Sequence, residues 1–277
     1  MTRRIAFQGE PGAYSHEACL KARPNMEALP CRTFEDAVDA VQRGAADLAM
    51  LPVENTTYGR VADIHSLLPQ SGLHIIDEAF VRVEISLMGR PGATLADIRH
   101  VRAHTVLIPQ AKTFLRSHGI TVEAAADSAG AAAALAVADE PHVGVMASAV
   151  AAQIYGLDIL ATGIEDQDKN TTRFLIMSRE ADVSRRGDFG MITSFVFQVR
   201  NIPAALYKAM GGFATNGINM TKLESYMVNG SFAATQFYAD IEGHPDDPAV
   251  QRALEELDYF TTNVKVLGVY PAAQSRH

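Results

Sequence analysis

Three short polar segments in this chain each adjoin an apolar, strand-like run. "GEPGAYS" (9–15) follows "IAFQ", "PVENTTYG" (52–59) follows "DLAML", and "KNTTRF" (169–174) leads into "LIM". Each alone reads as turn chemistry, because Gly, Asn, Ser and Thr are turn formers. Together, at the ends of strands, they read as a site, since α/β proteins hold ligands beside strand ends. The set offers hydroxyl, amide and guanidinium donors, with Glu54 as its carboxylate and no obvious nucleophile–base pair. Those groups suit the binding of a polyanion and the stabilisation of a leaving group, and they do not suit covalent catalysis.

Other chemistries find little support. No G-x-S-x-G occurs, so a hydrolase elbow is absent. The nine histidines are scattered, with no H-E-x-x-H, so no metal is expected. "GEPG" is neither a dinucleotide nor a Walker sequence, so no cofactor is expected, although its amides at a helix start suit an anion. A net charge of −8 argues against nucleic acid. An anionic substrate then needs local cations such as Lys169 and Arg173. Cys19 and Cys31 are expected as free thiols, no membrane span is expected, and "MTRRIAFQG" runs too quickly into a strand for a leader peptide. A cytoplasmic protein is expected.

The elements that position these segments alternate strand and helix, which implies an α/β fold with mostly parallel sheets and helices on both faces. Strands are read at "RRIAFQ", "DLAMLPV", "HVGVMA" and "FLIM", with one long strand over "LHIIDEAFVRVEISLMG" crossing between two lobes. Helices are read at "HEACLKA", "TFEDAVDAVQRG" (capped by Thr33 and Asp36), "VADIHSLLPQ", "PQAKTFLRSHG", "DSAGAAAALAVAD" and "SAVAAQIYG". A charged, Gly-containing stretch at 179–190 reads as a linker. Beyond it the order is β-α-β-β-α-β, the ferredoxin-like pattern, with Pro203 expected in a first helical turn and Asn229-Gly230 as a hairpin turn.

"KNTTRFLIM", "LPVENTTYGRV" and "FQGEPGAYS" together resemble the prephenate dehydratase family, of which "NTTRF" is the most specific motif. "NMTKLES" with "FYADIEGHPDDPAVQRALEEL" resembles the ACT regulatory domain of the same enzymes. The resemblance covers nearly the whole chain in order. It implies a two-lobed, periplasmic-binding-protein-like catalytic region over 1–180, with a second lobe near 81–155, and an ACT domain over 190–272. No chorismate mutase segment precedes it, so the monofunctional form is expected. The implied reaction takes prephenate to phenylpyruvate, water and carbon dioxide without cofactor or metal. The implied catalytic residues are Thr172, Arg173, Asn55, Gln110 and Glu54, with Phe174, Tyr14, Ser15 and Thr56 binding substrate. Ala103 and Thr105-Val106 depart from the family's second-lobe pattern near Gln110.

On this reading Thr172 supplies a hydrogen-bond donor to the leaving hydroxyl, shared with Asn55 and Gln110, and Arg173 clamps the side-chain carboxylate. Glu54 is read either as part of the site or as a carboxylate holding a loop. The resemblance further implies L-phenylalanine as effector at Ala204, Ala205, Leu206, Asn219, Glu224 and Ser225, in a homodimer or homotetramer. Ala204 stands where the family has glycine, and Tyr226-Met227 where it has Arg-Pro. The rival readings are an arogenate dehydratase and a non-catalytic amino-acid sensor.

Overall fold

A computed structural model describes residues 2–167, 169–227 and 236–276. Along the chain the elements run β1 (Arg4–Gln8), α1 (Tyr14–Ala22), β2 (Glu27–Cys31), α2 (Phe34–Gln42), β3 (Leu48–Asn55) and β4 (Gly59–Arg60). They continue with α3 (Ala62–Leu67), β5 (His74–Arg82), β6 (Ser86–Gly89), β7 (His100–His104), α4 (Lys112–Ser117) and β8 (Thr121–Ala125). Next come α5 (Ser128–Val137), β9 (Val143–Ala147), α6 (Ala149–Tyr155), β10 (Asp158–Ala161) and β11 (Thr171–Ser178). The last are β12 (Met191–Val199), α7 (Ala205–Thr215), β13 (Met220–Tyr226), β14 (Gln236–Glu242), α8 (Pro248–Phe260) and β15 (Thr261–Pro271). The chain divides into two compact units, Met1–Val61 with Ala79–Phe174, and Ala62–Glu78 with Leu175–His277.

The first unit holds two lobes. In one, β1 lies between β2 and β3, all parallel, and β3 borders β11. In the other, the strand order is β10-β6-β9-β7-β8, with β8, β7 and β9 parallel and β6 and β10 antiparallel to their neighbours. The expected long strand over 73–89 is two strands. Its break has a local cause: Val83 N donates to Asn170 O at 2.8 Å, and Ile85 N to the Glu165 carboxylate at 2.9 Å. Those bonds turn the chain from one sheet into the next. Helix starts follow their caps: Thr33 accepts from Asp36 N, Asp127 from Gly130 N and Ser148 from Ala151 N.

In the second unit the sheet order β13-β14-β12-β15, antiparallel throughout, is the ferredoxin-like arrangement. Alternation along the strands sorts its two faces. Phe195, Phe197, Phe237, Ala239 and Ile241 pack with residues of α7 and α8. The intervening Ser194, Tyr238 and Asp240 form a buried polar cluster with Tyr270. The Ala62–Glu78 segment belongs here, and Ile75 pairs with Gly268. Glycine is required at 268, because a β-carbon there would lie 2.1 Å from the Ile75 carbonyl oxygen. The Asn229-Gly230 turn lies outside the described residues.

Pro203 is not in the first turn of α7. The helix begins at Ala205, and its N-cap, Ala204, has φ +60 and ψ +20. Among the described residues Ala204 is the one non-glycine with positive φ. That conformation crowds an alanine β-carbon at a cost of about 1–2 kcal/mol, from which glycine's extra chain entropy subtracts about 0.5–1 kcal/mol. Ala204→Gly is therefore expected to stabilise the protein by about 0.5–1 kcal/mol, raising Tm by a few degrees. An unchanged or lowered Tm in a thermal melt contradicts this.

Candidate active site

A cavity of about 650 Å³ opens in the first unit. Gln8 and Gly9, Cys31 and Arg32, and Asn55 reach it from the carboxyl ends of β1, β2 and β3, and Asn170 and Thr172 from the start of β11. The other lobe contributes His104, Val106, Leu107 and Gln110 after β7, Ala126–Ala129 at the start of α5, and Ser148 after β9. Carboxyl strand ends are where open α/β sheets hold ligands.

Asn55 and Thr172 meet because β3 and β11 run past each other there. Thr56 N donates to Thr171 O at 2.9 Å, Asn55 Nδ2 to Thr172 Oγ1 at 3.0 Å, and Arg173 Nη1 to Glu54 Oε1 at 2.9 Å. The orientation of the Asn55 amide follows from its neighbours. Its Oδ1 accepts from Thr57 N and Tyr58 N at 2.9 and 3.0 Å, which leaves Nδ2 to face Thr172 and, at 2.7 Å, Asn170 Oδ1. Asn170 Nδ2 in turn donates to Gln110 Oε1, and Gln110 Nε2 to Val106 O at 2.8 Å. Asn55 thus donates two ways, to the Thr172 hydroxyl and into an amide chain through Asn170 and Gln110 that ends on Val106 O. Because Thr172 Oγ1 accepts from Asn55, its own proton is left to donate, and among the described residues it meets no acceptor. Donation into an oxygen strengthens that oxygen's O–H as a donor.

Thr172, Asn55, Gln110, Tyr14 and Ser15 line the cavity, and Arg173, Glu54, Phe174 and Thr56 do not. Successive residues of a strand point to opposite faces, so with Thr172 in the cavity Arg173 must turn away. It is 3% exposed and paired with Glu54. The guanidinium joins β3 to β11 beside the cavity. Phe174 is fully buried, and Thr56 binds Thr171 N and Lys169 O.

The "GEPG" amides are largely committed. Gly9 N donates to Cys31 O, Gly12 N to His16 Nδ1 and Ala13 N to Glu10 O. The loop is pinned to the other lobe by Ser148 Oγ donating to Gly12 O at 2.6 Å and Tyr155 O–H to Pro11 O at 2.8 Å. Only glycine suits position 12, with φ +94 and a would-be β-carbon 2.7 Å from Ala151 Cα. The Tyr14 hydroxyl donates to Glu84 O at 3.1 Å, and burial, with nearby carboxylates, raises its pKa, so it stays protonated. Val106 N donates to His104 Nδ1 at 3.3 Å, which places the neutral ring's hydrogen on Nε2.

Asn170, Tyr58, Ser148 and Arg32 are lining residues that sequence reasoning missed. Asn170 and Tyr58 lie within "KNTTRF" and "PVENTTYG" but read as turn residues, and Ser148 and Arg32 carry no motif. Among the described residues no cluster of three or more His, Cys, Asp or Glu is placed to hold a metal ion. No described helix is long and apolar enough to cross a membrane.

Comparison with known proteins agrees with this geometry. The sequence profile of the prephenate dehydratase family matches residues 5–182. A bifunctional N-acyl-homoserine lactone acylase/prephenate dehydratase of Komagataeibacter europaeus is 49% identical over 99% of this chain and 98% of its own. Arogenate dehydratase/prephenate dehydratase 1 of Arabidopsis thaliana is 40% identical over 97% of this chain and 72% of its own. Among solved structures, prephenate dehydratase from Arthrobacter aurescens in complex with L-Phe superposes with a TM-score of 0.88 at 28% identity, covering 98% of this chain and 90% of that one. With the profile spanning most of the chain and these relatives nearly all of it, the chain belongs to the prephenate dehydratase family.

Proposed function

We propose that the chain converts prephenate to phenylpyruvate, carbon dioxide and water at the Thr172 cavity. The observation that carries this reading is the amide chain from Gln110 through Asn170 and Asn55, which leaves the Thr172 hydroxyl free to donate. In the reaction the bond from the ring to its carboxylate breaks, and its electron pair enters the ring. The ring becomes aromatic as the C–O bond opposite breaks. The departing oxygen needs a proton to leave as water, and one proton from solvent is consumed overall. Thr172, too weak an acid to ionise, lowers the barrier by donating a hydrogen bond to that oxygen. The apolar lining, with Phe34, Pro52, Val83 and Leu107, favours loss of the desolvated carboxylate. Purified protein is expected to form phenylpyruvate from prephenate; no product at any enzyme concentration sinks the reading.

Two neighbouring readings have support of their own. Glu10 lines the cavity, forms no ion pair with any described residue and suits the ammonium of arogenate, so kcat/KM on both substrates decides the preference. The 49% identical relative carries an acylase name, and the apolar lining suits an acyl chain. Against acyl transfer, Ser128 Oγ accepts from the His104 backbone and Ser148 Oγ donates to Gly12 O, and neither contact is to an imidazole. Release of free homoserine lactone from an acylated substrate tests it.

The Glu54–Arg173 pair acts here as a positioning contact. Arg173→Lys keeps the charge but loses the planar fork. With Thr172 and Asn55 one residue away on each strand, kcat is expected to fall about 10- to 100-fold while KM changes little. A rise confined to KM, with kcat unchanged, returns Arg173 to substrate binding.

The C-terminal ferredoxin-like unit is proposed to be an ACT domain within 190–272, following a catalytic domain over 1–180. It would bind L-phenylalanine near Ala204–Leu206, Asn219 and Glu224-Ser225 in a homodimer or homotetramer. The L-Phe complex of the Arthrobacter aurescens relative supports this. Calorimetric titration of the full chain with phenylalanine and light scattering check both; no binding at millimolar concentration, or a monomer, counts against them. Free thiols at Cys19 and Cys31 fit a cytoplasmic setting.

A further inference from the structure

Prephenate carries two carboxylates, and the two do not want the same environment. The ring carboxylate must leave, and a cation paired with it would stabilise the ground state and oppose the reaction. The side-chain carboxylate persists in phenylpyruvate and can be held throughout. With Arg173 turned out of the cavity, a different group has to hold it. We propose that Arg32 anchors this retained carboxylate. The proposal rests on the dehydratase reading given above.

Among the described residues that line the cavity, Arg32 is the one lysine or arginine. Glu10 and Asp127 are also in the lining, in a chain of net charge −8, so an anion meets no other formal positive charge of that kind. Asp127 is occupied in capping α5, accepting from Gly130 N at 2.6 Å. The backbone on both sides of Arg32 is pinned. Cys31 O accepts from Gly9 N at 2.9 Å, and Thr33 Oγ1 accepts from Asp36 N at 3.1 Å as the cap of α2. The Arg32 side chain, by contrast, is exposed and makes no ion pair or hydrogen bond with any described residue. A fixed base and an uncommitted guanidinium are what a carboxylate anchor needs, and the planar fork suits bidentate contact. The position, immediately after the carboxyl end of β2, is also where this sheet class places ligand contacts.

The test titrates phenylpyruvate, which keeps the carboxylate in question, into wild type, Arg32→Ala and Arg32→Lys by calorimetry. Arg32 has no partner among the described residues, so both variants are expected to keep the wild-type Tm. Affinity is expected to fall about 10- to 100-fold in R32A and less in R32K, and wild-type affinity to weaken as salt is raised. In turnover, R32A raises KM far more than it lowers kcat. An R32A affinity within about twofold of wild type, or no phenylpyruvate binding by wild type, overturns the assignment. Binding that depends on Arg32 without turnover of prephenate leaves the anchor standing and removes the dehydratase reading instead.

Discussion

Thr172→Ala is expected to lower kcat by about 10²–10³-fold, the usual effect of deleting one preorganised donor to a transition state. The variant should fold and bind phenylpyruvate as wild type does. Thr172 is partly exposed at the cavity wall, and its loss removes an acceptor from Asn55 Nδ2, which keeps Asn170 Oδ1 at 2.7 Å. Thr172→Ser retains the hydroxyl and should recover most of the rate, short of what the lost methyl contributed to holding its rotamer. Steady-state and single-turnover assays on prephenate separate chemistry from product release. Near-wild-type kcat in T172A would falsify the role of the hydroxyl. A loss that serine fails to rescue places the effect in packing.

The largest effect on stability is expected at the far end of the chain. Arg276 Nε and Nη2 reach the two oxygens of Glu78 at 2.6 and 2.9 Å, and Nη2 lies 3.4 Å from Asp240 Oδ2. The Glu78 and Asp240 side chains are both fully buried, and Ala273 N adds a bond to Glu78 at 3.0 Å. Arg276→Ala takes the guanidinium from two buried carboxylates. Breaking a buried pair from one side costs about 3–5 kcal/mol, because the remaining charge stays desolvated. Tm should drop by about 10 °C, and urea unfolding should show the same loss at unchanged m. Replacing both carboxylates as well, in Arg276→Met/Glu78→Gln/Asp240→Asn, should recover part of it. A Tm within about 2 °C of wild type for R276A would show that water reaches these carboxylates.

Much of the architecture is local chemistry and was legible from residues alone. Thr33 and Asp36, Asp127 and Ser148 announce helix starts through their own side chains. The apolar runs of β1, β3, β11 and β12 are buried strands because nothing else hides so many adjacent apolar groups. The family resemblance in "KNTTRF", "PVENTT" and "GEPGAYS" likewise needed no coordinates. Strands β2 and β8 escaped because they are sheet edges. Their residues are half exposed, one is a proline, and an edge needs no apolar signature.

What tertiary structure alone decided is which way side chains face and what they meet. Thr172 and Arg173 are neighbours in sequence, yet strand alternation and the pairing of β3 with β11 put one in the cavity and the other against Glu54. Which lobe supplies Gln110 to Asn170, and that Arg32 shares a cavity with Thr172, follows from loops distant in sequence converging at strand ends. Arg276 lies where a chain end is ordinarily loose. Contacts to the buried Glu78 and Asp240, 198 and 36 residues away, hold it in place. Ala204 shows the same limit at one residue: its identity is plain in the sequence, but its left-handed conformation before α7 is not, because nothing local in an alanine favours it.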